Sequence, residues 1–441
     1  MGFSNLFIRI RQRFWYLPSL YGLIAAFLAV FSMEINTYIV NTEVLVTFLP
    51  AFLLTDINLA QTILSSISAS LLTMTTITFS TILVVLTTYL SQFSPRTLQN
   101  FITDHSTQRV LGIFVGGFIY SILLLLLLRE TDTTTTFIVP AIAIFISIVC
   151  LLVFVFFIHH VTGWIQVSNL IHTITLETID KINKDLKDVK DVQEDPPWED
   201  WESEEIKHIP PKHFSLNGSG YIQYIDIEGL VKQATKEDCI IRIEKEVNDY
   251  VDEDTPLLSL WFLSTHQVRG NYDKYFIIGS EQAAVNDIEF GLTKIVEIGL
   301  RALSPGINDP NTAINCIDNL GKILTKLGSK HLPKSYHNDD NRNLRVIYKK
   351  PDFSDYLYKC FFQIRQYGFS DISVLTAGIK ALTLIAESNS KPIKELVWEF
   401  SEYIIEGIDK NILLSLDRRY INEQLEALAK ATGHKSDYKA I

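Results

Sequence analysis

Residues 63–90 read ILSSISASLLTMTTITFSTILVVLTTYL, lie between Asp56 and Arg96, and contain no Asp, Glu, Lys or Arg. The hydrocarbon core of a bilayer is spanned by about 20 such residues in a helix. A helix also satisfies every backbone amide internally, as lipid demands. The stretch therefore predicts a membrane-spanning helix, and it sets the class of the chain. Working outward, three more runs of this kind appear: Leu17 to Met33, entered through Trp15 and Tyr16, then Val110 to Leu128 and Phe137 to Ile158. Arg9, Arg11 and Arg13 precede the first run, as in a cleavable signal peptide. No small-x-small cleavage site follows Phe31, so a retained anchor is expected. The apolar stretch Val44 to Leu54, containing Pro50, is too short to span and reads as a re-entrant or interfacial segment.

Basic residues in short loops set orientation. The N-terminal arginines, with Arg96 and Arg109 between the second and third runs, predict a cytoplasmic N-terminus. The first loop carries Glu34, Glu43 and Asp56 without Lys or Arg, as expected outside. Four spans return the chain to the cytoplasm near His159. The expected topology is N-in and C-in.

The 63–90 run is unusual within this set. Between Thr62 and Ser91 twelve hydroxyl residues occur: Ser65, Ser66, Ser68, Ser70, Thr73, Thr75, Thr76, Thr78, Ser80, Thr81, Thr87 and Thr88. Each hydroxyl can bond back to a carbonyl one turn earlier, so lipid tolerates some of them. One reading is a central helix packed on all sides. The other is a helix lining a wet path, where hydroxyls replace lost hydration of a passing solute. On that reading the lining candidates are Ser66, Ser70, Thr73, Thr76, Ser80 and Thr87. The segment Ser91-Gln92-Phe93-Ser94-Pro95-Arg96 would join the path to a gate. Gly112 and Gly116 in the third run have the spacing that lets helices approach closely, within the chain or between copies.

The net charge of −11 falls almost wholly after residue 160. An acidic domain lacks the basic footprint that nucleic acid requires. Cys150, Cys239, Cys316 and Cys360 are far apart and are expected to be reduced and buried. The ten histidines show no ligand spacing backed by carboxylates, so no metal, cofactor or catalytic set is expected.

Val161 to Val189 reads as a helix continuing from the fourth span, with Ile165, Ile171, Ile174, Ile179 and Ile182 at near-helical spacing. An acidic linker follows, containing Pro196 and Pro197. Tyr221 to Ile227, Cys239 to Ile243, Pro256 to Phe262 and Tyr275 to Ile278 read as strands, with a short helix at Glu228 to Ala234. They suggest a small barrel or sandwich. Helices are expected at Glu281 to Leu303, Asn311 to Leu327, Asp352 to Glu387 and Pro392 to Ala431, with a polar connection from Pro333 to Arg345 and a frayed tail after Gly433. The organisation is thus a four-helix membrane domain over 1–160, a helical extension and linker over 161–219, a small β-rich module over 220–280 and a helical part over 281–441. Together the last two form an expected cytoplasmic α+β domain.

The string Arg301-Ala302-Leu303-Ser304-Pro305-Gly306-Ile307-Asn308-Asp309-Pro310-Asn311-Thr312-Ala313 stops one helix and starts another. Pro305 and Gly306 break the first, Asp309 is placed to cap the second, and Pro310 takes its first position. It is either a plain helical turn or a small polar-ligand site on exposed amides, with Arg301, Ser304, Gly306 and Asn308 nearby.

This string, with Asp287-Ile288-Glu289-Phe290-Gly291 before it and the hydroxyl-bearing run leading into Ser91 to Arg96, resembles the bacterial membrane proteins grouped as domain-of-unknown-function family 2254. The resemblance covers most of the chain and implies a bacterial cytoplasmic membrane protein, but carries no activity or catalytic residues. The expected function is an oligomeric membrane pore or transport protein, its outer acidic residues favouring cations. Its cytoplasmic domain would gate the path or sense an ion or small molecule. The alternative is a membrane-anchored sensor or scaffold without transport.

Overall fold

The computed structural model describes residues 15–40, 50–92, 105–128, 136–189, 210–216, 218–263, 270–280, 287–333, 335–410 and 413–441. The chain divides into two compact units, residues 1–170 and 171–441.

The first unit contains the four apolar helices: α1 (Tyr16–Val40), α2 (Ile57–Gln92), α3 (His105–Leu127) and α4 (Val139–Ile165), all long and apolar enough to cross a membrane. α1 runs past the expected end at Met33, so Glu34 lies on the helix rather than in the loop. α2 is 36 residues long, about 54 Å at 1.5 Å per residue, and outreaches a bilayer core of about 30 Å. Its start is capped by Asp56, whose Oδ1 accepts the Leu59 N–H at 2.7 Å. Beyond Pro50 the short apolar stretch is a tight turn at Ala51–Leu53. The part at 44–49 lies outside the described residues.

α3 packs against α1, α2 and α4. Its glycines explain how closely. A Cβ on Gly112 would stand 3.1 Å from the Tyr21 ring, and one on Gly116 3.3 Å from the Tyr21 carbonyl oxygen. A Cβ on Gly117 would meet Leu71 and Cys150. The small-residue face is thus used within the chain, between α1 and α3. One end of the bundle is tied by polar bonds. Thr55 and Phe137 exchange backbone hydrogen bonds at 3.1 and 2.8 Å, and the buried Asn36 accepts the Ile138 N–H at 2.7 Å.

α5 (Val167–Asp185) does not continue α4 without interruption. Gln166 is extended, and Asn169 Nδ2 bridges the break by donating to Gly163 O and Gln166 Oε1, both at 3.1 Å. The ile-rich stripe is real nonetheless: Ile171, Ile174 and Ile182 are buried. Thr178 on that stripe packs against Gly291.

The second unit holds eight strands among the described residues. β1 (Lys212–Phe214), β5 (Leu258–Phe262), β3 (Cys239–Ile243), β8 (Leu344–Tyr348) and β7 (Tyr336–Asn338) form one sheet in that order. β4 (Tyr250–Val251), β2 (Gly220–Ile225) and β6 (Phe276–Gly279) form a second. The sheets and helix α6 (Ile227–Glu237) enclose a core around Ile222, Leu230, Ile241, Leu258 and Val346. Segment 220–280 supplies β2 to β6, but the larger sheet is completed from outside it. β8 pairs parallel with β3 and is buried along its whole length. The polar connection expected from Pro333 to Arg345 therefore contains β7 and the start of β8. Its polar residues build the hairpin between them, which hid the strands.

Six helices follow or flank the sheets: α7 (Ile288–Ala302), α8 (Pro310–Gly328), α9 (Phe353–Gly368), α10 (Ile372–Ser388), α11 (Lys391–Glu406) and α12 (Ser415–Thr432). The two long helices expected at 352–387 and 392–431 are each broken in two. Apolar periodicity persists across the breaks, which merges them in the sequence. Asp371 caps α10 through the N–H groups of Ser373 and Val374, and Gly407 ends α11. The tail expected to fray is pinned instead: Asn422 Oδ1 accepts from the Tyr438 hydroxyl and the Ile441 N–H, both at 2.9 Å. All four cysteines are free and buried.

Candidate functional site

The twelve hydroxyls of α2 do not share one environment. Ala60, Leu64, Ser68, Leu71, Thr78, Ile82 and Val85 are buried at spacings of three, four or seven residues, forming one stripe against the rest of the bundle. Ser66, Ser70, Thr73, Thr76, Ser80 and Thr87 are all exposed. At 3.6 residues per turn they make a second stripe, roughly opposite the first. Among the described residues nothing covers this side of α2 within the single chain. Ser70, Thr73 and Thr76 donate to carbonyls four residues earlier at 2.8 to 2.9 Å, and Thr87 to Val84 O at 2.8 Å. Large apolar residues such as Phe79 and Val84 share this outer surface. Ser91 and Gln92 form the end of α2, and Phe93 to Arg96 lie outside the described residues.

The 301–313 string is a compact turn between α7 and α8. Ser304 Oγ donates to Arg301 O at 2.7 Å, Asp309 N to Ala302 O at 2.9 Å, and Asn308 takes a left-handed conformation with φ of 48°. Asp309 accepts the Thr312 N–H at 3.1 Å and its hydroxyl at 2.6 Å. These Thr312 bonds, the hydroxyl's first, hold the Asp309 carboxyl below its usual range against a smaller opposing effect of burial. The carboxylate thus occupies the amide that an anion would need, and the helix-capping reading accounts for it. Asp309→Ala should cost about 1 kcal/mol, the usual worth of such a cap. Because the folded pKa is depressed, that contribution is present above the unfolded value near 4 and fades as pH falls through the folded one. Urea unfolding at pH 7 and pH 3 would check both statements.

Sequence reading missed a third place. A cleft of about 190 Å³ in the second unit is lined by Glu246, Glu289, Lys349, Pro351, Asp355, Tyr356 and Lys359. Four separate segments build it. The first is the turn after β3, pinned to β2 where Asn248 N donates to Ile222 O at 2.8 Å and Ile222 N to Asp249 O at 3.0 Å. The second is the first turn of α7, capped by Asp287 through the Phe290 N–H at 2.7 Å. The third is the connection after β8, and the fourth is α9, opened by a reciprocal cap between Asp352 and Asp355. Glu289 and Lys359 form an ion pair across it.

Its charges are crowded. Partial burial, then the neighbouring Glu289 and Asp249, push the Glu246 carboxyl up, while Lys359 and Lys350 partly oppose them. Burial also raises Asp287, despite the Phe290 N–H. Burial lowers Lys350 although Glu246, Glu289 and Asp287 attract its charge, and its Nζ rests 4.0 Å from the centre of the Tyr348 ring. Glu246 lines the cleft, while Asp287 and Lys350 stand beside it in the chain next to lining residues; clustered, oppositely perturbed groups of this kind mark a functional-site candidate. Among the described residues no three His, Cys, Asp or Glu side chains converge to hold a metal ion. A signal for the cleft was present in Asp287 to Gly291, which carried the family resemblance; nothing local pointed to Glu246.

Comparison with known proteins decides the family. The model described as "Predicted membrane protein (DUF2254)" matches residues 11–383. The chain belongs to this family. The match takes in all four apolar helices, the 301–313 turn and every segment of the cleft, and it ends within α10. Mb1321c, an uncharacterized protein of Mycobacterium bovis, is 29% identical over 387 residues, covering 85% of this chain and 72% of the relative. Rv1290c of Mycobacterium tuberculosis, also described as uncharacterized, matches with the same identity and coverage. No solved structure matches the chain. Family membership makes this a predicted membrane protein, in agreement with its four apolar helices.

Proposed function

We propose that several copies of this protein assemble into a membrane pore or transport protein, with the hydroxyl face of α2 turned toward the route. The observation that carries the reading is that Ser66, Ser70, Thr73, Thr76, Ser80 and Thr87 lie open on the side opposite the buried stripe. One chain cannot enclose them, so a route requires neighbours. Hydroxyls so placed can stand in for the hydration of a small solute. Glu34 on α1 and Asp56 before α2 favour cations through their local field. Arg9, Arg11, Arg13, Arg96 and Arg109 favour an N-in, C-in arrangement in a bacterial cytoplasmic membrane, with the second unit in the cytoplasm as a gating or ligand-sensing domain.

A second reading has its own support. Ser70, Thr73, Thr76 and Thr87 all satisfy their hydroxyls on their own helix, so the same face can meet lipid in a membrane-anchored sensor without transport. Liposome flux separates the two. Purified protein should pass K⁺ or Na⁺ more readily than Cl⁻. Replacing Thr73 and Thr76 by the isosteric valine should reduce flux severalfold without altering expression. Vesicles that stay tight to all three ions, with the protein inserted, would leave the anchored sensor.

A further inference from the structure

Two serines buried inside the membrane unit break the pattern set by the other hydroxyls. Ser70, Thr73, Thr75 and Thr76 on α2 each donate to the carbonyl four residues earlier. Ser68 on α2 and Ser121 on α3, 5% and 0% exposed, make no such bond, and among the described residues their Oγ atoms have no partner at all.

The two lie at one level of the bundle. Gly117, one turn before Ser121, faces Leu71 on α2 and Cys150 on α4, since a Cβ there would stand 3.1 and 3.2 Å from their side chains. Leu124, less than a turn after Ser121, belongs to one core cluster with Leu64 and Ala143. α3 therefore runs against α2, and Ser68, between Leu64 and Leu71, comes level with Ser121. Residues three and four apart share a helix face, so both serines sit on the faces that these neighbours bring together. The seam around them is apolar, with Leu64, Leu71 and Leu124 fully buried. Hydroxyls left unpaired in such surroundings are costly, and buried water is the usual means of pairing them.

We propose that one water molecule is bound between Ser68 and Ser121 in each chain and ties α2 to α3. Water and a serine hydroxyl each donate and accept, so one molecule serves both side chains. A metal ion is served less well. It requires about six oxygen ligands, and the apolar runs of α2, α3 and α4 contain no Asp or Glu. The close approach at Gly117 also leaves little space for a larger solute. The inference goes beyond the transport reading, and it holds equally whether the open face of α2 meets a route or lipid.

A cryo-electron microscopy map of the full chain in nanodiscs, fine enough to place ordered waters, tests it directly. The expected result is one peak within about 3 Å of both Oγ atoms. Hydroxyls bonded to each other, or back to the carbonyls of Leu64 and Gly117, would overturn the proposal. Its energetic counterpart uses a variant retaining only Cys150, which is buried on α4. The temperature at which a maleimide dye begins to label should fall by about 2–4 °C in Ser68→Ala and in Ser121→Ala. The double variant should fall no further, because the first loss already releases the water. Removing a hydroxyl that bonds to nothing would instead relieve a cost. An onset raised or unchanged in either single variant therefore counts against the water, as do losses that add. The parent's onset should be the same in NaCl, KCl and LiCl, and dependence on one of these cations would make the occupant an ion and overturn the assignment.

Discussion

Gly116→Leu is expected to disrupt the membrane unit more than any other single change in its helices. At this position the first added carbon would already stand 3.3 Å from the Tyr21 carbonyl oxygen and 3.5 Å from the Ala25 methyl. The nearer atom is backbone of α1, which cannot rotate aside as a side chain would. A leucine adds three more carbons in the same space, so α1 must move away from α3. Overpacking of this kind costs about 3 kcal/mol at the upper end of its usual range. Because α1 also carries Asn36, which accepts the Ile138 N–H at the start of α4, the displacement would spread beyond one helix pair. The cysteines provide the readout. Cys150 is buried on α4, so a variant retaining only that cysteine becomes reactive to a maleimide dye when the membrane unit opens. Gly116→Leu should lower the temperature at which labelling begins. Leu126→Ala, on the exposed side of α3, should not.

The second large effect is expected from Asp339→Ala in the β7–β8 hairpin. The Asp339 carboxylate accepts the N–H groups of Asn341 and Asn343 at 2.9 Å and the Arg345 Nε–H at 2.8 Å. Both ionic side chains are nearly inaccessible, at 4% for Asp339 and 9% for Arg345. Removing one member of a buried pair leaves an uncompensated charge, at a cost of about 3–5 kcal/mol. Asp238 still touches Arg345 at 2.9 Å, which places the loss toward the lower figure. Damage should reach the centre of the sheet, since Arg345 lies on β8 and β8 is the parallel neighbour of β3. Burial pushes the Asp339 carboxyl up, but Arg345 and the amides of Asn343 outweigh it and hold the folded pKa below the usual range. The stabilisation is therefore present above the unfolded value near 4 and is lost as pH falls through the folded one. Labelling of Cys239, buried on β3 with its thiol pushed up to about 12 chiefly by burial, would report the loss. At pH 7 the variant should expose Cys239 at lower urea than the parent, and the gap in unfolding midpoint, followed by tryptophan fluorescence, should narrow below pH 4.

Local chemistry was legible without coordinates. The four apolar runs were readable because lipid imposes a length and a composition that one segment must meet by itself. Asp309 and Pro310 were readable for a similar reason, since a cap acts on its own first turn. The Gly112 and Gly116 spacing announced a close approach but not its partner. Tertiary structure named the partner as Tyr21 on α1. It also decided which side of α2 is covered, a matter that hydroxyls scattered around the helix could not settle. It recruited β8 from a stretch that looked like a polar loop, because the pairing with β3 joins strands about a hundred residues apart and leaves no mark in either one. The cleft belongs to the same class. Glu246, Glu289 and Lys359 are unremarkable charged residues in three separate segments, and only the fold of the second unit brings them to one cleft. Sequence by itself thus determined where the chain meets lipid and where its helices start, since these are properties of one segment in its solvent. Which surfaces face each other, and so where a ligand or a second copy could bind, was decided by long-range packing.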